Sequence, residues 1–335
     1  MKAIQIKQYS KEIKVEVNDI PVPTISADEV LIKVVTAAVN PLEKLIMTGE
    51  VKLIQGYEFP LTLGNELAGV VEAAGSNVTR VKQGQRVYSR LPVNHIGAFA
   101  EYVAVNEDAV SIIPDYLNFK EAVAIPLTGL TAYQALNDIL NVESGKTLFI
   151  PGGSGGFGQI AVPLAKAKGL KVIVSGNSKA KAHIMSLGAD QFIDYKTEDY
   201  WEILNDVDYV IDTLGANEFD HELSIIKPGG HLLSLKTAPN KAFAKAKGLS
   251  KVKQILFGLV GSKFDKKAKK QNVTYHFMFV DANGTQLDEV GKILTEKQVK
   301  PQIDEKEFTL DETEAALDYT FNGRPFGKVI INVNA

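Results

Sequence analysis

The chain has 335 residues, 45% hydrophobic and 23% charged, with a formal net charge of −3. That length and composition suit two globular domains, and the mildly acidic balance argues against a general nucleic-acid binder. There is no cysteine, which excludes disulfides, thiolate nucleophiles and thiolate-ligated zinc.

The N-terminus, Met1-Lys2-Ala3-Ile4-Gln5-Ile6, enters a strand pattern at once. No secretory signal is visible, and no apolar run reaches the ~18 residues of a membrane span. The expected location is therefore cytoplasmic, with no stable membrane insertion. Residues 1 to about 115 read as β-rich. Strands are predicted at Lys2–Ile6, Lys14–Asp19, Glu29–Ala37, Ala68–Ala74, Gln85–Ser89, Phe99–Val105 and Ala109–Ile113. They are short, rich in Val and Ile, and separated by glycine turns, which suits a barrel or sandwich. Asn40-Pro41 ends one of them.

From Phe119 to Leu140 the apolar period becomes helical, with Pro126 expected to break or kink it. Strands and helices then alternate. Strands are predicted at Lys146–Ile150, Lys171–Ser175, Gln191–Tyr195, Asp208–Thr213 and His231–Leu235, with helices at Phe157–Lys168 and Lys179–Leu187. Such alternation predicts a parallel sheet wrapped by helices.

The turn after the first of these strands reads Pro151-Gly152-Gly153-Ser154-Gly155-Gly156-Phe157-Gly158. Gly153, Gly155 and Gly158 fit G-x-G-x-x-G. The first glycine makes the tight turn, the second lets backbone approach a pyrophosphate, and the third lets helix pack on strand. The helix N-terminus then offers free N–H groups and the positive end of its dipole. The second strand ends Val174-Ser175-Gly176-Asn177-Ser178-Lys179-Ala180-Lys181, with no acid to bond a ribose 2′-OH. Hydroxyls, an amide and two lysines suit a 2′-phosphate, so Ser175, Asn177 and either Lys179 or Lys181 are expected to select NADPH. The alternative is plain capping by Ser178 with solvated lysines.

Residues 240–271 hold ten lysines and one acid, Asp265. Val252, Ile255, Leu256, Leu259, Val260 and Phe264 are expected on one helical face that covers the protein, leaving the lysines solvated. The other reading is a membrane surface or an acidic partner. After Val273 come a strand at Tyr275–Val280, a helix near Gln286–Thr295, a strand at Gln302–Phe308, a helix near Asp311–Tyr319 and a last strand at Lys328–Val333. This β-rich tail is expected to rejoin the first domain.

Several stretches together carry a family resemblance. They are Ala37-Ala38-Val39-Asn40-Pro41, Leu63-Gly64-Asn65-Glu66-Leu67-Ala68-Gly69-Val70-Val71, Gly97-Ala98-Phe99-Ala100-Glu101-Tyr102, Pro126-Leu127-Thr128-Gly129-Leu130-Thr131-Ala132-Tyr133, the glycine turn, Leu187-Gly188-Ala189-Asp190, and Gly323-Arg324-Pro325-Phe326-Gly327-Lys328-Val329. On these the whole chain resembles the medium-chain dehydrogenase/reductases, in the zinc-independent quinone oxidoreductase branch. It is most similar there to the NADPH-dependent alkenal/enone reductases. The resemblance implies an α/β fold: a GroES-like β-barrel catalytic domain with an inserted Rossmann domain and a cleft between them. Residues 1–118 would open the catalytic domain. Residues 119–270 would form the Rossmann domain, and 271–335 its last strand and the return.

Zinc members of the superfamily carry Cys where this chain has Asn40 and His where it has Asn65, and amides are poor zinc ligands. The five histidines, at 95, 183, 221, 231 and 276, show no ligand spacing. No metal is expected. The implied reaction is hydride transfer from NADPH to a quinone or an α,β-unsaturated carbonyl. Alternatives are a non-catalytic NADPH-binding protein and an alcohol dehydrogenase with a non-standard metal site.

Residue by residue, the resemblance places Asn40 near the nicotinamide, its amide aimed at a carbonyl oxygen. Tyr57 would be a hydrogen-bond or proton donor. It places Thr131, Ser234, Phe277 and Phe279 along the cofactor, Tyr195 beside the 2′-phosphate, and Arg324 near the cofactor. Gly156 and Phe157 complete the phosphate turn. Relatives are often homodimers joined through the strand near Tyr275–Val280.

Overall fold

A computed structural model describes residues 1–333. The chain divides into two compact units, one of Met1–Leu130 with Asp281 onward, the other Thr131–Val280. The divisions at 130/131 and 280/281 fall later in the chain than the expected boundaries at 118/119 and 270/271.

The first unit begins with β1 (Lys2–Ile6), β2 (Glu16–Asp19) and β3 (Glu29–Ala38), followed by the helix α1 (Pro41–Met47). It continues with β4 (Leu61–Thr62), β5 (Glu66–Ala74), β6 (Arg86–Arg90), β7 (Tyr102–Asn106) and β8 (Val110–Ile112). β3 is the organising strand, because its Val- and Ile-rich run lets it pair with β5 and β7 along its length. Asn40 does more than end it. Its extended backbone opens α1, Pro41 takes the first helical position, and the Glu43 carboxylate accepts the Asn40 N–H at 2.7 Å.

α2 (Phe119–Val123) stops before Pro126, which starts α3 (Pro126–Gln134). The expected break at Pro126 thus becomes a change of helix, since proline has no N–H to continue α2 but fits a first turn.

The second unit is the alternating one. It runs β9 (Thr147–Ile150), α4 (Gly156–Ala167), β10 (Lys171–Gly176), α5 (Lys181–Ser186), β11 (Gln191–Asp194) and α6 (Tyr200–Ile203). Then come β12 (Val207–Asp212), α7 (Phe219–Ser224), β13 (Ile226–Ser234), α8 (Lys241–Ala246), α9 (Lys251–Lys270) and β14 (Thr274–Phe277). All pairs are parallel, in the order β11-β10-β9-β12-β13-β14. The order reverses between β9 and β12, the place where doubly wound sheets open a ligand crevice at their carboxyl ends.

The core packs Phe149, Ile173, Val210, Phe219, Phe264 and Tyr275 around the sheet. β14 ends at Phe277, short of the predicted Val280, so Phe279 lies beyond the strand.

α9 corrects one expectation. Phe264 is buried, together with Phe257, Gly261 and Ala268, whereas Val252, Ile255, Leu256, Leu259 and Val260 face solvent. A Cβ on Gly261 would meet Asn240 at 2.7 Å. This close approach, with two phenylalanines beside it, fixes the rotation of the helix against the larger aliphatic count.

The chain returns to the first unit through α10 (Gly284–Glu296), β15 (Ile303–Thr309), α11 (Thr313–Asn322) and β16 (Lys328–Asn332). β16 pairs antiparallel with the end of β3, giving the order β15-β16-β3-β5-β6-β8.

Candidate functional site

At the carboxyl ends of β9, β10 and β11 the second unit assembles the residues expected around a dinucleotide. A Cβ on Gly158 would sit 1.8 Å from the Gly153 carbonyl oxygen, so only glycine lets α4 come this close to the turn. Gly155 and Gly156 face open space, with nothing within 4 Å of an added Cβ. Gly155 caps α4 without a side-chain bond, and half-buried Phe157 lies in the first turn. The first N–H groups of that turn have no intrahelical acceptor, the chemistry that an anion such as a phosphate would meet at a helix start.

Ser175 is buried, and its hydroxyl accepts the Gly152 N–H at 3.3 Å, which ties β10 to the turn. Asn177, rather than Ser178, caps the next turn, accepting from the Lys179 N–H at 3.1 Å. Lys179 and Lys181 are exposed, with no ion pair among the described residues. Tyr195 is 58% exposed, and its N–H bonds the Gly176 carbonyl at 3.3 Å. Glycine turn, paired lysines and tyrosine thus share one edge of the sheet.

Ser234, expected along the cofactor, is bonded within its own unit. It is fully buried at the end of β13 and donates to Asp212 Oδ2 at 2.5 Å. It also accepts the N–H groups of Lys236 and Thr237 at 3.1 and 2.7 Å. Asp212 further accepts Leu214 N, Gly215 N and Thr237 Oγ1 at 2.7, 2.7 and 3.0 Å. One carboxylate therefore pins the loops after β12 and β13.

Behind it lies Glu222, fully buried, with no donor for either oxygen. Its neighbour within hydrogen-bond reach is Asp212 itself. Two carboxyls can bond only if one keeps a proton. Burial, then the Asp212 charge, push Glu222 up to about 10, so Glu222 is the protonated partner. Neither residue was singled out from sequence; an Asp closing an apolar strand was the available signal.

Thr131 is buried within α3, and half-buried Phe277 packs edge-on against Phe243 at 5.0 Å. Phe279 is half-buried.

In the first unit Asn40 sits in a buried polar centre. Its Nδ2 donates to Glu66 Oε1 at 2.8 Å and to the Ala38 carbonyl at 3.4 Å, and its Oδ1 accepts from Lys328 Nζ. Lys328 also pairs with Glu66 at 2.7 Å, and Glu66 Oε2 accepts the Leu127 N–H at 2.7 Å. Both amide hydrogens of Asn40 are thus spent internally, which removes the free donor its catalytic role required in this arrangement. Glu43 accepts from Asn40 N and from Asn65 Nδ2, each at 2.7 Å. Those donors favour the carboxylate, but burial outweighs them and pushes Glu43 up to about 7.

Half-buried Tyr57 donates to the Val93 carbonyl at 2.8 Å, and burial raises its phenol far above its usual range. Arg90, fully buried on β6, interacts electrostatically with Tyr57, Glu66 and Glu43; it donates to Leu91 O, while its Nε and Nη2 have no acceptor. Burial lowers it to about 10. Arg90 was missed because a strand arginine ordinarily faces water. Arg324 is exposed in the loop before β16.

The centre does not fit zinc. Asn40 and Asn65 supply amides, poor zinc ligands, and the Lys328 ammonium is the cation that the Asn40 oxygen and the Glu66 carboxylate already hold. No group of three or more His, Asp or Glu side chains among the described residues is arranged to hold a metal. His231 and His276 do meet, at 3.0 Å, but two imidazoles are not a zinc site, and burial followed by the His231 contact lowers His276 to about 4.

Comparisons with known proteins agree with this architecture. Residues 26–115 match the alcohol dehydrogenase GroES-like domain, and residues 187–331 match a family described as zinc-binding dehydrogenase. A 2-methylene-furan-3-one reductase of Solanum lycopersicum is 32% identical over 99% of this chain and 79% of its own length. A mitochondrial NAD(P)H oxidoreductase, RTN4IP1, of Bos taurus is 30% identical over 99% of this chain and 89% of its own. The solved quinone oxidoreductase of Coxiella burnetii superposes with a TM-score of 0.83 at 28% identity, covering 100% of this chain and 99% of that one. The chain is a member of the medium-chain dehydrogenase/reductase superfamily, in its quinone oxidoreductase branch.

Proposed function

We propose that the protein is an NADPH-dependent, zinc-independent oxidoreductase acting on a quinone or an α,β-unsaturated carbonyl. The observation that carries this reading is the acid-free end of β10. There Lys179 and Lys181 stand exposed and unpaired beside Tyr195, next to a glycine turn shaped for a pyrophosphate. The names of the relatives, an enone-type reductase, an NAD(P)H oxidoreductase and a quinone oxidoreductase, agree with it.

When bound, NADPH supplies a hydride. The chain's own part is to seat and orient. The first turn of α4 holds the pyrophosphate, Lys179 and Lys181 hold the 2′-phosphate, and Asp212 keeps the loops after β12 and β13 in place. The oxyanion that develops on the acceptor draws on Tyr57, whose hydroxyl now rests on Val93 O, and on the three unpartnered N–H bonds at Nε and Nη2 of Arg90. Asn40 acts as the rigid joint between Glu66 and Lys328. A homodimer would form through β14, the sheet's edge strand.

The test is nicotinamide oxidation by absorbance, pairing NADPH and NADH with a quinone, a 2-alkenal, an enone and a saturated aldehyde after chelator treatment. NADPH turnover with the first three acceptors and little with the saturated aldehyde is expected. The internal commitment of Asn40 and Tyr57 favours one second reading, a protein that binds NADPH without turnover. Silence across the panel with tight NADPH binding would establish that reading instead.

A further inference from the structure

Among the described residues, α9 is the one long helix whose apolar stripe points away from its own unit. Val252, Ile255, Leu256, Leu259 and Val260 recur at i, i+3, i+4, i+7 and i+8, and are 76, 63, 37, 70 and 46% exposed. The opposite side, Phe257, Gly261, Phe264 and Ala268, is buried, with Phe264 and Ala268 in the core beside Tyr275. The helix is therefore anchored firmly by one face while it presents the other. Single exposed aliphatics need no explanation, but five adjoining ones on one helix mark a contact surface.

The charge pattern says what kind. At 100° per residue, Lys263, Lys266, Lys267 and Lys270 continue the same outward stripe over the second half of the helix. Lys267 is held by Asp220 at 2.6 Å. Lys251, Lys253, Lys263, Lys266, Lys269 and Lys270 have no ion-pair partner among the described residues. The lone acid, Asp265, is turned to Asn240 at 2.8 Å. A second copy laid on this face would set lysines against lysines. An apolar band flanked by unpaired lysines on a helix matches an anionic lipid surface, where aliphatics enter the headgroup boundary and ammonium groups meet lipid phosphates and carboxylates.

We propose that the outward face of α9, from Val252 to Lys270, docks the protein peripherally on an anionic membrane surface. The docking is independent of the reaction at the carboxyl ends of the sheet. It needs no spanning segment, and no helix among the described residues is long and apolar enough to cross a bilayer.

The test is co-sedimentation of the full chain with phosphatidylcholine vesicles, with and without phosphatidylserine, at low and high salt. The wild type should pellet with the anionic vesicles only, and less at high salt. The I255E/L259E variant should lose binding by about tenfold or more, as should K263Q/K266Q/K270Q. All five side chains are exposed, so circular dichroism should show unchanged folding. Wild type that stays in the supernatant with anionic vesicles at low salt overturns the proposal. So do variants that pellet like wild type. A dimer in sedimentation velocity that I255E/L259E dissociates, without vesicle binding, would instead assign the face to a second copy.

Discussion

The two units each bury carboxyl groups and neutralise them by different means. In the first, Glu66 is compensated by the Lys328 ammonium at 2.7 Å, with Asn40 bridging the pair. In the second, Asp212 is compensated by four N–H and O–H donors and by a proton kept on Glu222. The ion pair depends on both partners being present, because removing one strands a charge in a medium that cannot solvate it. The protonated pair depends on a hydrogen, which an amide can replace. The first unit is therefore brittle to charge removal, and the second is tolerant of an isosteric neutral group.

The largest effect should follow from Lys328→Met, which strands Glu66. A loss of about 3–5 kcal/mol in stability is expected from the denaturant midpoint. A change within 1 kcal/mol, by the same order-of-magnitude reckoning, would show that the pair is not what holds the centre together.

Next comes pH. A buried acid whose folded pKa is raised stabilises the fold fully below its unfolded pKa, and that contribution is lost as pH rises through the folded value. For Glu43, raised to about 7, stability should fall by roughly 3 kcal/mol between about pH 4.5 and 7. Glu43→Gln should make that part of the curve shallower by this amount. Glu222, raised to about 10, should add its own decline over that range and carry it on into alkaline pH, so Glu222→Gln should lessen the slope below pH 7 and remove the alkaline part. If Glu43→Gln flattened the alkaline part as well, the two units would not be titrating separately.

Smaller still is the cofactor effect. Lys179→Ala with Lys181→Ala should raise the KM for NADPH about tenfold, or ~1.4 kcal/mol, and leave that for NADH nearly unchanged. Equal effects on both would reject the phosphate assignment. Smallest is Glu222→Gln at about pH 4.5, where the acid is largely protonated folded and unfolded; it is expected within about 1 kcal/mol of the wild type, since its amide donates to Asp212 as the acid does. A cost matching that of Lys328→Met would erase the contrast between the units.

The alternation from Lys146 onward was legible because periodicity and glycine placement are local signals. So was the glycine turn, where the clash at Gly158 restates in geometry what the spacing implied. The helix α1 was hidden because Asn40-Pro41 serves equally as a strand stop and a helix start, and Glu43 decides between them. The hydrogen-bond partners of Asn40 and Ser234 were hidden for a different reason. Each has its hydrogen bonds filled by residues distant in sequence, Glu66 with Lys328 and Asp212 respectively.

By itself, then, the sequence determined the two-unit plan, the parallel sheet, the phosphate turn and the absence of an acid after β10, since each depends on short-range pattern or composition. Only the tertiary structure decided which polar groups are spent and which are free, and which way α9 faces. Hydrogen-bond saturation is a property of a neighbourhood assembled from distant strands. Helix rotation is a competition: along α9 two phenylalanines and the close approach at Gly261 outweighed five aliphatics, a result that no period read along the chain contains.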